Sequence, residues 1–73
     1  MKKLEIKNEI VSLFNSIDST TLNPIQMSWY EWLYRSVKVI EDDKNYKKIS
    51  KEDLFGCFNL TKVVINDIEN FNK

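Results

Sequence analysis

Apolar residues recur every three or four positions in three stretches of this 73-residue chain, and polar segments separate the stretches. In the first stretch, Ile6, Ile10 and Phe14 share one helical face, while Lys7 and Ser12 look outward. No stretch alternates apolar and polar residues over a useful length, so no strand is predicted. The pattern predicts one all-α domain over residues 1–73, a small three- to four-helix bundle. The predicted helices span about 3–17, 24–43 and 50–71.

The second stretch has the clearest helix start. Asn23 is a preferred N-cap, Pro24 fits the first helical position, and Gln26 can complete a capping box. Acidic residues at 41–43 end this helix, although the helix macrodipole favours cations at a C-terminus. We interpret the segment that follows as a solvated charged loop. An EF-hand frame fails there because lysine and tyrosine occupy positions that need oxygen ligands.

Apolar side chains cover more of the second helix than one small core needs. The predicted core stripe of this helix consists of Ile25, Trp29, Leu33, Val37 and Ile40. The opposite side is a narrow polar strip that includes Arg35, with Trp32 and Val39 on one flank and Met27 and Tyr34 on the other. Tryptophan, tyrosine, methionine and arginine are the types enriched in protein interfaces. The predicted partner-binding residues are Met27, Trp32, Tyr34, Arg35 and, from the third stretch, Phe55. Two alternatives remain open: these aromatic residues complete the core, or two copies of the chain pair as a homodimer.

The third stretch begins at Ser50, a good N-cap, and can form one helix or two short helices that turn at Asn59. The second arrangement resembles a helix-turn-helix. The residues that carry this resemblance are Ser50, Glu52, Leu54, Asn59, Leu60, Thr61, Ile65 and Ile68. It implies a DNA-binding regulator, dimeric because one reading helix of this size rarely gives enough affinity. The implied DNA-contacting residues are Lys62, Asn66 and Asn70.

The balanced net charge makes DNA binding a less favoured function than protein binding. The chain has 11 basic and 11 acidic residues, whereas proteins that bind nucleic acid through phosphates usually carry a basic excess. The segment also differs from the helix-turn-helix pattern: Phe55 stands where the family prefers alanine, the turn lacks glycine, and Asp67 and Glu69 would repel phosphate. Nucleic acid therefore remains the alternative partner, behind a protein.

Composition also argues against catalysis. The chain has no histidine and one cysteine, so neither a Ser/His/Asp nor a Cys/His relay can form, and we expect no cofactor and no metal. We interpret Cys57 as a small buried apolar residue. The N-terminal segment lacks a signal-peptide core and no run reaches the length of a membrane span, which predicts a cytoplasmic protein that does not enter membranes. The favoured function is a non-enzymatic, stoichiometric protein-binding module of the inhibitor, modulator or immunity type.

Overall fold

The computed structural model describes residues 1–71, and these form four α-helices with no strand. The helices are α1 (Lys3–Asn15), α2 (Pro24–Glu41), α3 (Asp43–Lys48) and α4 (Lys51–Asn70), and a 3-10 turn (Ser19–Thr21) precedes α2. The prediction of a small all-α bundle is confirmed. Within the same residues, no helix combines the length and the apolar character needed to cross a membrane.

The three long helices pack side by side around one apolar core. The buried apolar residues are Ile6, Ile10, Phe14, Leu33, Val37, Ile40, Leu54, Ile65 and Ile68. The most extensive helix–helix contact joins α1 and α4. The start of α2 contacts the end of α4, and a groove near the end of α2 is also lined by the start of α4, so these two helices run antiparallel. α1 runs parallel to α4, because their ends line one cavity and Met1 lies beside the start of α4.

One buried polar side chain ties two helix ends together. Gln26 is 4% exposed, and its Nε2 donates to the carbonyl oxygen of Ile68 at 2.7 Å. Carbonyls in the last turn of a helix have no intrahelical donor, so this bond satisfies one of them in α4. The predicted capping box also forms: Gln26 N–H donates to the Asn23 side chain, and Asn23 N–H donates to the Gln26 side chain, both at 2.9 Å.

At the start of α2, the first residue that faces the core is one position later in the sequence than predicted. Leu33, Val37 and Ile40 are buried as expected, but Ile25 is 52% exposed and Gln26 takes the inward position. The prediction for Ile25 is therefore wrong. The physical reason is that the buried bonds of Gln26 satisfy its amide, which lets a polar residue occupy a core position.

α4 runs without a break from Lys51 to Asn70, so the prediction of a helix-turn-helix turn at Asn59 is wrong. No non-glycine residue among residues 1–71 has a positive φ, which such a turn requires. Thr61 does not cap a new helix; its hydroxyl donates to the carbonyl oxygen of Cys57 at 2.8 Å, one turn back. Helical spacing of the core residues stays in phase across Asn59, so a single helix buries them all.

A short helix replaces the predicted charged loop. α3 follows α2 directly, and the Asp42 side chain accepts hydrogen bonds from the N–H groups of Lys44 and Asn45. The acids that are unfavourable at the end of α2 are therefore favourable at the start of α3. α2 itself ends at Glu41 and α1 at Asn15, each two residues before the predicted limit.

Candidate binding surface

A shallow groove runs between α2 and α4 on the side of the bundle away from α1. Its volume is about 320 Å³. The lining residues are Ser36, Val39, Ile40, Ile49, Asp53, Leu54 and Cys57. Further along the same side, the rings of Trp29 and Phe71 meet edge to face, with centroids 5.6 Å apart. These contacts show that the groove lies beside the α2 flank with Ser36 and Val39 and the α4 flank with Asp53 and Cys57.

On α2, three residues point outward beside this groove: Trp32, then Arg35 about one turn later and Val39 about two turns later. Trp32 is 45% exposed and Val39 is 48% exposed. Both positions lie about 140° to 160° around the helix axis from Val37, which is buried in the core. Arg35 is exposed and lies on the same flank. Two of the five predicted partner-binding residues, Trp32 and Arg35, therefore lie on one surface.

On α4, a second outward strip faces the same direction. Leu60 and Val63 are 47% and 55% exposed, and Gly56 lies one turn before Leu60. Gly56 is exposed and has a negative φ, and a Cβ at this position would meet no atom within 4 Å. We define the α2/α4 face by these outward residues. They are Trp32, Arg35, Val39, Gly56, Leu60 and Val63.

Acidic residues border this face at both ends of the α4 strip. Asp53 lies one turn before Gly56 and Asp67 one turn after Val63, and both are exposed. On the α2 edge, Arg35 supplies a positive charge. The α4 edge of the α2/α4 face is therefore apolar in the middle and negative at its ends.

Cys57 lies on the groove floor and is half-buried. Burial raises the pKa of its thiol, and the side-chain hydrogen bond with Thr61 opposes that shift. The thiol is consequently protonated near neutral pH, which makes it a poor nucleophile.

The other predicted partner-binding residues of α2 lie on its opposite flank. The Tyr34 ring is 6.1 Å from the Phe14 ring of α1, and Lys38 Nζ lies 5.3 Å from the Tyr34 centroid. Tyr34 is still 47% exposed, while Met27 is half-buried. These two side chains are too far around α2 to share a surface with Trp32.

Phe55 lies on the α1 side of α4. It is 44% exposed, its ring is 6.0 Å from Phe58, and it lines a depression together with Met1, Lys51 and Glu52. The structure therefore does not bring the five predicted residues together. They occupy three flanks of the bundle, and only Trp32 and Arg35 share one.

The residues implied for DNA binding lie along one exposed line of α4. Lys62 Nζ is 4.5 Å from the centre of the Phe58 ring, and the Asn70 amide donates to both the carbonyl and the side chain of Asn66. The line belongs to an unbroken helix packed against α1, and not to a separate reading helix.

A cavity of about 380 Å³ opens at the end of the bundle where α1 and α4 finish. Its polar rim includes Asp18 and Glu69, and its floor includes Ile65 and Ile68. A hydrogen bond from the Thr20 side chain, and a second from the Thr20 backbone, lower the pKa of the Asp18 carboxyl. The Asp18 carboxylate therefore caps the 3-10 turn before α2.

The chain matches no family model, no curated protein and no solved structure, so similarity to known proteins assigns no function to this surface.

Proposed function

We propose that this protein is a small stoichiometric binding module that occludes a partner protein through the α2/α4 face. The observation that carries the proposal is the exposure of four large apolar side chains, Trp32, Val39, Leu60 and Val63, on one side of a very small bundle. Exposed apolar residues grouped on one surface are typical of protein interaction sites, and tryptophan and arginine are frequent hot-spot residues. The class includes inhibitors, modulators and immunity-type proteins, and it requires no reaction by this chain.

The apolar contacts alone do not support a stable complex. About half of each of the four side chains is exposed, so covering them contributes about 1 kcal/mol each, or roughly 4 kcal/mol together. Lost translational and rotational freedom on association costs roughly 4 kcal/mol or more. A micromolar complex therefore also needs contacts at the charged border, where Arg35, Asp53 and Asp67 lie. A cytoplasmic location stays a prediction from the sequence.

Site-specific photocrosslinking in the native cells tests this function. A photoreactive amino acid at Leu60 should give one discrete adduct with another protein, because Leu60 is central to the α2/α4 face. The same label at Asn8, exposed on α1, serves as the matched control and should not give that adduct. Adding Trp32→Ala to the Leu60-labelled chain should remove the adduct while the circular dichroism spectrum stays unchanged. An adduct that survives Trp32→Ala, or that forms equally from Asn8, contradicts the proposal.

A further inference from the structure

Gly56 has no function in the fold of the free chain. It is the only glycine in the sequence, and it lies well inside α4, at the sixth of its 20 positions. Its φ is not positive, and nothing lies within 4 Å of where a Cβ would be. Neither a special backbone conformation nor close packing inside this chain therefore requires glycine there. Glycine inside a helix is nevertheless unfavourable relative to alanine.

A glycine on an exposed helix surface allows another backbone to approach closely. Gly56, Leu60 and Val63 follow the i, i+4, i+7 spacing of one helical face. A second helix that packs on this strip would have its backbone nearest to α4 at Gly56 and its side chains between Leu60 and Trp32. Such helix-in-groove docking uses partner residues at the same i, i+3, i+4, i+7 spacing.

The exposed carboxylates of Asp53 and Asp67 indicate which kind of partner helix fits this strip. Asp53 and Asp67 are exposed at the two ends of the strip, about 21 Å apart along a helix that rises about 1.5 Å per residue. A second copy of α4 running antiparallel on the same strip would place its Asp67 beside Glu52 or Asp53, and like charges at an interface are unfavourable. A partner helix with lysine or arginine near both ends of its apolar stripe matches both carboxylates.

We propose that the α2/α4 face binds one amphipathic helix of a partner protein, with basic residues at both ends of its apolar stripe and its backbone closest to this chain at Gly56. This inference rests on the proposed function and names the element that is recognised. The carboxylates of Asp53 and Asp67 receive the basic ends, and the apolar stripe covers Leu60, Val63 and Trp32.

Two labelled helical peptides provide the test, followed by fluorescence anisotropy. Both are about 18 residues long with leucine at i, i+3, i+4, i+7 spacing, which gives a length close to the strip. One carries lysine at both ends of the stripe and the other carries glutamate. The lysine peptide should bind at least about tenfold more tightly at low salt, and high salt should reduce the difference. Asp67→Asn should lower the preference, because it removes one of the two carboxylates.

Gly56→Leu should abolish binding of the lysine peptide, because its side chain fills the space of closest approach. The variant should unfold at the same temperature as the unmodified chain or higher, because leucine is a better helix former, the position is exposed, and a Cβ there meets no atom within 4 Å. Asn8→Leu adds the same side chain at an exposed position of α1, away from the α2/α4 face, and is the matched control. Equal binding of the two peptides, no binding of either, or full binding by Gly56→Leu overturns the inference.

Two further outcomes separate this inference from the proposed function. If the Leu60 crosslink persists in Gly56→Leu but disappears in Trp32→Ala, the partner does not approach at Gly56, and the proposed function stands without the helix. If the free chain sediments as a dimer and Gly56→Leu makes it a monomer, a second copy occupies the face and the basic-helix inference is overturned.

Discussion

Replacing Gln26 by leucine should cost about 2 to 4 kcal/mol of unfolding free energy. The substitution removes two hydrogen bonds, one from Nε2 to the Ile68 carbonyl and one from Asn23 N–H to the side-chain oxygen. Each is worth about 1 kcal/mol, and a carbonyl left buried without a donor adds about 1 kcal/mol or more. A chain of 73 residues has a total stability of roughly 4 to 11 kcal/mol, so the loss is a large fraction of it.

Urea unfolding followed by circular dichroism measures this cost. With a slope of about 1 kcal/mol per molar urea, the midpoint should fall by roughly 2 to 4 M. Ser28→Ala is the control on the same helix, because Ser28 is exposed and its hydroxyl contacts only the Pro24 carbonyl in its own turn. A Gln26→Leu chain that unfolds within about 0.5 kcal/mol of the unmodified chain refutes the reasoning, since that range is typical of neutral surface substitutions.

Gln26→Glu adds a pH signature to the same test. One oxygen of a carboxylate at this position would still accept from Asn23 N–H, but the other would face the Ile68 carbonyl oxygen, to which only the protonated acid can donate. The pKa of this glutamate should therefore be higher in the folded chain than in the unfolded chain. Its stabilising contribution is fully present below the unfolded pKa and is lost as pH rises through the folded pKa. The deficit relative to the unmodified chain should thus be smaller in acid than at neutral pH, and a pH-independent deficit contradicts this assignment.

Three further predictions concern single positions. Leu33→Ala should lower the unfolding free energy by about 2 to 5 kcal/mol because Leu33 is fully buried, whereas the neighbouring Trp32→Ala should cost about 1 kcal/mol or less; equal losses in urea titrations would contradict the assigned faces. Asn59→Ala should raise stability by about 0.5 kcal/mol because alanine is the better helix former, whereas a loss would indicate a turn at Asn59. Cys57 should react with a thiol reagent at neutral pH more slowly in the folded chain than in urea, because burial raises its pKa; equal rates would show that the thiol is not shielded.

The sequence predicts the long helices well because their apolar spacing and caps are local features. Asn23, Pro24 and Ser50 mark helix starts that the structure confirms. α3 was missed because six residues contain no apolar stripe, yet its signal was present in the acids before it and the lysines at its end. The inward position of Gln26 could not be predicted, because it depends on a carbonyl 42 positions away.

The binding surface is harder to predict because it depends on which helix covers which flank. Helical spacing identifies Trp32 and Tyr34 as large side chains outside the core stripe of α2, but it does not say that α1 packs beside Tyr34. For the same reason, the sequence grouped Phe55 with the α2 residues although it lies on a different surface. Gly56 carried a sequence signal that could have been used, since an isolated glycine inside a helical pattern is unfavourable without a reason.

The most direct test of the central claim is calorimetric titration of the protein that crosslinks at Leu60 with three forms of this chain. The unmodified chain and Tyr34→Ala should bind it at one site with equal affinity, because Tyr34 lies on the other flank of α2. Trp32→Ala should bind it at least about tenfold more weakly, as a hot-spot tryptophan requires. Equal affinities for all three forms, or a larger loss in Tyr34→Ala than in Trp32→Ala, would contradict binding through the α2/α4 face.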